Sequence, residues 1–226
     1  MNDKATDYFF FMHPNRWSRP LSFEHRLGNF QCMGIPKRIK PIKTVVLHIL
    51  DSDQYSNGMD KTAINNAYWM ANPDPNLNGT HAESSIHAIA DRQNYVVCMP
   101  SDTIVYACAN PNTRQESIEI EIAGTFKDHA NPEYWESDDA KLKLVNVAKV
   151  LKQLQTLCTF EMPPLQKGHL NMIGQVDING FIQHRDVPLF ADGVWRQPPE
   201  SFKYGQHQDI CQDFPYEILF DIMKTI

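Results

Sequence analysis

No stretch of this 226-residue chain is apolar for long enough to span a bilayer, and nothing near its start reads as a secretory leader. The only apolar run there, Tyr8 to Met12, is followed by His13 and Pro14, with no small-residue cleavage site after it. The expectation is a protein made in the cytoplasm that stays there, or that leaves by lysis or by a dedicated machine that ignores such signals. A Lys/Arg-rich run is also missing, and with a formal charge of −6 this argues against a nucleic-acid binder. The segment IPKRIKPIK (35–43) gathers some basic residues but reads as a solvated connector into the first strand. The five cysteines (Cys32, Cys98, Cys108, Cys158, Cys211) are odd in number and form no CxxC, so they read as reduced structural thiols rather than a disulfide framework. No internal repeat or low-complexity segment is present.

What is there suits one globular domain with one core: 42% hydrophobic and 21% charged residues. Residues 1–43 are rich in proline, aromatics and basic residues without periodicity and read as an irregular extension lying over the domain. TVVLHIL (44–50) is a continuous, β-branched apolar run, as in a central strand buried on both faces. DKTAINNAYWMAN (60–72) has Ala63, Ile64, Ala67, Tyr68 and Ala71 at helical spacing. Three short strand candidates follow, IHAIAD (86–91), YVVCM (95–99) and TIVYACA (103–109). SIEIEIAG (117–124) alternates, with Ile118, Ile120 and Ile122 on one face and Glu119 and Glu121 on the other. SDDAKLKLVNVAKVLKQLQTL (137–157) is the strongest helix, with acids at its start and Ala140, Leu144, Val147, Ala148, Leu151 and Leu154 as its buried stripe. A strand at GFIQH and a closing helix from Pro215 to Lys224 complete an α/β domain with a central mixed sheet flanked by helices.

Chemistry concentrates in three places: VVLHIL with His48, GFIQHRDVP (180–188) with His184, and HQDICQDFPYE (207–217). A strand end holds an imidazole rigidly, which suits a zinc ligand, while a loop supplies the remaining donor. Taken singly, a strand-end histidine is more often a hydrogen-bonded core residue, and a strand glutamate is usually on a wet face. Taken in order, the segments resemble the type 2 zinc-dependent N-acetylmuramoyl-L-alanine amidases, which include phage lysozymes of amidase type, muropeptide-recycling amidases and peptidoglycan recognition proteins. VVLHIL resembles the family's first strand, whose histidine is the first zinc ligand. SSIHAIADRQNYVVCMPSDTIVYACA (84–109) resembles its Tyr-His-Phe…Asp-Arg-Asp-Gly hairpin and the strand after it. SIEIEIAG resembles its Ser-Ile-Gly-Ile-Glu strand, and GFIQHRDVP its Gly-His-Ser-Asp-Val strand. These matches run collinearly over residues 44–217.

The resemblance implies a zinc ion held by His48, His184 and a later Asp or Cys, with Glu121 on the catalytic glutamate. DICQDFPYE (209–217) looks like the family's ending and nominates Asp209, 25 residues after His184 if about 189–206 is an insertion. Asp192 keeps the ordinary spacing without that context, and Cys211 is a further alternative. Asp209 as ligand puts His207 where many relatives carry a catalytic lysine; an exposed loop histidine is the alternative reading. Asp186 reads as orienting nearby backbone or His184, and His87 as a packed residue rather than a ligand. Ile86 and Ala107 stand where many relatives have a tyrosine and a histidine near the metal, which keeps a catalytically silent peptidoglycan-binding protein in view. Trp69 reads as core, while Trp195, Phe202 and Tyr204 are candidates to meet substrate. The implied substrate is the amide between N-acetylmuramic acid and L-alanine, in peptidoglycan or soluble muropeptides. Lysin, recycling and secreted-effector roles stay open, the last with an immunity protein or secretion machinery as partner.

Overall fold

The structure, a computed structural model, describes residues 8, 9, 38–71, 86–105, 107, 108, 110–204 and 214–226. Its strands are Tyr8–Phe9 (β1), Thr44–Ile49 (β2), Tyr55–Ser56 (β3), Met59–Asp60 (β4), Ala88–Ala90 (β5), Tyr95–Val97 (β6), Ser117–Ile122 (β7), His169–Leu170 (β8), Val176–Ile178 (β9), Gly180–Gln183 (β10), Leu189–Ala191 (β11) and Val194–Arg196 (β12). Its α-helices are Thr62–Ala71 (α1), Pro111–Arg114 (α2), Phe126–His129 (α3), Asp138–Cys158 (α4) and Tyr216–Thr225 (α5). The main sheet runs β1-β6-β5-β7-β2-β10. Only the β5–β6 hairpin is antiparallel, so the sheet is mixed, as its sequence pattern implies. Among the described residues no helix is long and apolar enough to cross a membrane.

β2 sits between β7 and β10 and is buried along its whole length, which is why its side chains are almost all apolar. Alternation then sends Val45, Leu47 and Ile49 to one face with Ile118, Ile120, Ile122 and Phe181, against Leu144, Val147 and Leu151 of α4 and Leu219 and Phe220 of α5. Ser137 caps α4 by accepting from the Ala140 N–H at 3.2 Å, and Asp138 and Asp139 lie in its first turn, where the helix dipole favours negative charge. The second face carries two apolar patches: Val46, Ile182, Cys108, Leu170 and Val187, and Ile89, Val96, Ile86, Ala63 and Ala67. The chemistry-bearing side chains lie on that second face.

TIVYACA does not form a strand in its described residues; only an isolated bridge marks Thr103. Both edges of β7 are already taken by β2 and β5, so no ladder is open to it. Its backbone is used otherwise: Thr103 O accepts from Arg38 Nη2 at 2.8 Å, and Cys108 N donates to Glu119 Oε2 at 2.8 Å. Arg38 is also no solvated connector residue. Its guanidinium donates to the carbonyls of Ser101, Arg114, Thr103 and Ser117 at 2.6–2.9 Å. Burial lowers its pKa to about 10, which leaves it charged at neutral pH.

Two buried histidines are held neutral. Burial first, then Arg38, pushes His87 down to about 3, and burial, then Lys143, pushes His129 down to about 4. Gly124 makes room for His129: at φ +143, a Cβ there would lie 2.1 Å from His129 Nε2. An unfolded chain protonates both rings near pH 6.5, whereas the folded chain binds neither proton until far lower pH. Stability is therefore present above pH 6.5 and lost as the pH falls. Asp91 opposes this below pH 6, because burial and then neighbouring Asp60 outweigh its backbone donors and raise it to about 6. The metal-free protein is expected to be about 2 kcal/mol less stable at pH 5 than at pH 7 in urea unfolding. Equal stability at the two pH values would show that these rings are not neutral in the fold.

Candidate active site

His48 ends the apolar run of β2, and His184 follows directly after β10, the neighbouring parallel strand. Because Gln183 pairs with Leu47, the next residues, His184 and His48, come level on the same face. Their rings lie 4.5 Å apart between centroids, tilted by 44°, and the residues are only 6% and 2% exposed. Across β2's other edge, His48 is the register partner of Glu121, and Glu121 is in turn that of Ile89. Two imidazoles and a half-buried carboxylate thus share the C-terminal ends of three adjacent parallel strands, the end at which open α/β sheets bind ligands.

The backbone after β10 turns in a short 3₁₀ segment, His184–Asp186. Asp186 Oδ2 accepts from Gln183 N at 3.4 Å, so this carboxylate orients the backbone that presents His184. A cleft of about 360 Å³ opens beside it, walled by Lys167, Gln183, Arg185, Asp186, Pro198, Pro199 and Phe202. Asp192 lies in the β11–β12 hairpin turn with Gly193, at φ +53 and +79, the paired left-handed geometry of a two-residue hairpin loop. On that hairpin, Phe190 (56% exposed) packs its ring 5.1 Å from that of Trp195. His207, Asp209 and Cys211 lie outside the described residues, as do the side chains of Trp69 and Tyr204. Among the described residues, no group of three or more His, Cys, Asp or Glu is arranged to hold a metal ion, so Asp192 does not join the two histidines. Ile86 and Ala107 pack in the apolar patch around Ile89.

One residue near the site escaped the sequence reading. Glu119, on the face that alternation assigns to solvent, is fully buried, and its Oε2 lies 3.3 Å from His48 Nε2. The contact is in ion-pair range but lacks the alignment of a linear hydrogen bond. Ser117 Oγ (3.1 Å) and Cys108 Sγ (3.4 Å) donate to its Oε1, and Cys108 N (2.8 Å) donates to its Oε2. Burial alone would raise this carboxyl, but the polar contacts, His48 foremost, hold it below the usual range. Its carboxylate pushes in turn on Cys108, whose thiol is raised first by burial and then by Glu119. His87 fixes the strand from behind: its Nδ1 accepts from Glu119 N at 3.0 Å, so Nε2 carries the proton and faces Thr103 O at 3.3 Å. The missed signal was the cover over this one position: Cys108 and Ser117 close over Glu119, while Glu121, two residues on along the same face, stays half-buried.

No protein-family model and no curated protein matches the sequence. Among solved structures, the chain is similar to PlyL at 17% identity, over 83% of this chain and 87% of that one, with a TM-score of 0.45. It is similar to the Staphylococcus aureus hydrolase AmiA in complex with its ligand at 13% identity, over 95% and 80%, with a TM-score of 0.46. It is similar, too, to the N-acetylmuramoyl-L-alanine amidase LysC from Clostridium intestinale URNW at 12% identity, over 97% and 99%, with a TM-score of 0.43. All three TM-scores lie below 0.5.

Proposed function

We propose that residues 44–226 form a zinc-dependent amidase that hydrolyses the bond between N-acetylmuramic acid and L-alanine in peptidoglycan or muropeptides. The observation that supports it is the meeting of His48 and His184, 4.5 Å apart between ring centroids, with Glu121 in register beside them. Two buried imidazoles fit zinc's preference for nitrogen donors, and a carboxylate completes a common catalytic set, leaving one position open. His48, His184 and Asp209 are the residues that would hold the ion. When bound, zinc supplies a Lewis acid that polarises an amide carbonyl and acidifies water.

The remaining work falls to this chain's own groups. A Glu121 carboxylate oxygen takes a proton from the attacking water and returns it to the leaving nitrogen, so that the amine departs neutral. His207 donates a hydrogen bond to the oxygen of the former carbonyl as it gains charge. The strand lattice keeps Glu121 aimed, because Ile120 and Ile122 on either side are locked into the core. The products are a lactyl carboxylate and a free L-alanine amine.

The purified protein is expected to hold one zinc per chain by elemental analysis, and His184→Ala to hold none after dialysis. Wild-type protein is expected to release peptides with new L-alanine N-termini from sacculi. Zinc present without peptide release from sacculi or soluble anhydro-muropeptides would sink the amidase reading and favour a binding protein. Activity confined to the soluble muropeptides would assign recycling rather than lysis.

A further inference from the structure

Glu119 is a charge in a place that tolerates few. An ionised carboxylate removed from water costs several kcal/mol unless donors surround it, and this one is fully buried at the centre of the sheet. Ser117 Oγ and Cys108 Sγ occupy its Oε1, and Cys108 N takes one side of its Oε2. The other side of Oε2 lies 3.3 Å from His48 Nε2, close enough for the carboxylate's charge to favour a proton on that nitrogen without the alignment of a linear hydrogen bond. The carboxylate is anchored from both directions: its own N–H goes to His87, and its carbonyl accepts from His87 N at 3.1 Å. A group held so firmly does not adapt to the imidazole; the imidazole adapts to it. In the glutamate-bearing strand that this segment resembles, glycine stands at the position of Glu119, so that pattern supplies no side chain for the purpose.

We propose that Glu119 is a positioning residue, whose carboxylate keeps the proton of His48 on Nε2 and so presents Nδ1 as the lone pair available to a metal ion. An imidazole whose far nitrogen faces a carboxylate is both fixed in rotation and made a stronger donor, and loss of such partners typically costs about 10- to 100-fold in metal affinity. This inference rests on the zinc reading for its consequence, but not for its structural content. Glu121 and Glu119 then divide the labour of one strand: the first meets the reacting water, and the second sets the ligand.

The test uses full-length wild type, Glu119→Gln and Glu119→Gly. Long-range ¹H–¹⁵N correlation on metal-free protein reads the tautomer of His48, and competition with a chelating dye reads the zinc dissociation constant. The wild type is expected to show the proton on Nε2. Glu119→Gln, which conserves the shape and keeps the chain folded, is expected to bind zinc about 10- to 100-fold more weakly, with Glu119→Gly at least as weak. A wild-type proton on Nδ1, or zinc affinity unchanged in both variants, overturns the proposal. If the wild type takes up no zinc at all, the amidase reading fails, and the tautomer of His48 in wild type against Glu119→Gln then decides the role of Glu119.

Discussion

Glu121→Gln is expected to lower amide hydrolysis by about 10²- to 10⁴-fold while leaving the zinc content at the wild-type level. The substitution keeps the side chain's length and its place on the strand, so the register with His48 and the isoleucine anchors on the opposite face are untouched. It removes the oxygen that takes the water's proton. An amide has no comparable basicity, so proton transfer from water and to the leaving nitrogen would both lose their relay. Side-chain exposure argues against a large stability effect: Glu121 is half-buried, unlike its fully buried neighbour Glu119. The measurement is kcat on a soluble muramyl peptide, with zinc quantified on the same preparation. A variant with wild-type kcat would remove Glu121 from the chemistry. A variant that lost zinc in parallel would make it a ligand instead of a base.

Much of the scaffold was readable because the signals were local. A β-branched run with no polar break marked β2, a 3.6-residue stripe marked α4, and strict alternation marked β7. His48 and Glu121 could be singled out because the segments that carry them resemble two amidase strands; alternation alone treats Glu121 and Glu119 alike. Glu119 could not. Its role depends on a parallel pairing between strands that are far apart in sequence, with Val46 opposite it and His48 one pleat further on. Nothing near residue 119 announces that its own position is covered while Glu121, on the same face, stays half-buried. TIVYACA failed for a related reason: its composition favours a strand, but its backbone groups satisfy Arg38 and Glu119 instead of a ladder. Lys143 is another case. It interrupts the hydrophobic pattern of α4, yet is fully buried because Asp139 and Tyr134 meet its ammonium at 2.9 Å each. Asp192-Gly193, in contrast, is a local hairpin signal of ordinary strength between two short apolar-aromatic runs. The spacing argument that made Asp192 a ligand candidate competed with the turn chemistry that explains it.

Trp135→Ala is expected to cost about 3–5 kcal/mol of stability, roughly 6–20 °C in Tm, with little change in zinc affinity or kcat below the unfolding range. Trp135 is 2% exposed and lies in the same cluster as Leu47, Ile120 and Ile122. Its ring packs 4.7 Å from His129, 5.3 Å from Tyr134 and 4.9 Å from Phe214, so truncation leaves a cavity walled by rigid rings that collapse poorly. The expected loss is a large share of the total stability of about 5–15 kcal/mol typical of such domains. The contrast with Glu121→Gln follows from the sheet itself. Alternation makes β2 and β7 two-sided plates, with one side given wholly to apolar packing under α4 and α5 and the other holding His48, Glu119 and Glu121. A defect on the packing side weakens the plate without turning the ligands, as long as the chain stays folded. Melting curves and steady-state kinetics on both variants test this division directly. If Trp135→Ala kept its Tm but lost activity, or Glu121→Gln kept its activity but lost Tm, the two faces would not be doing separate jobs.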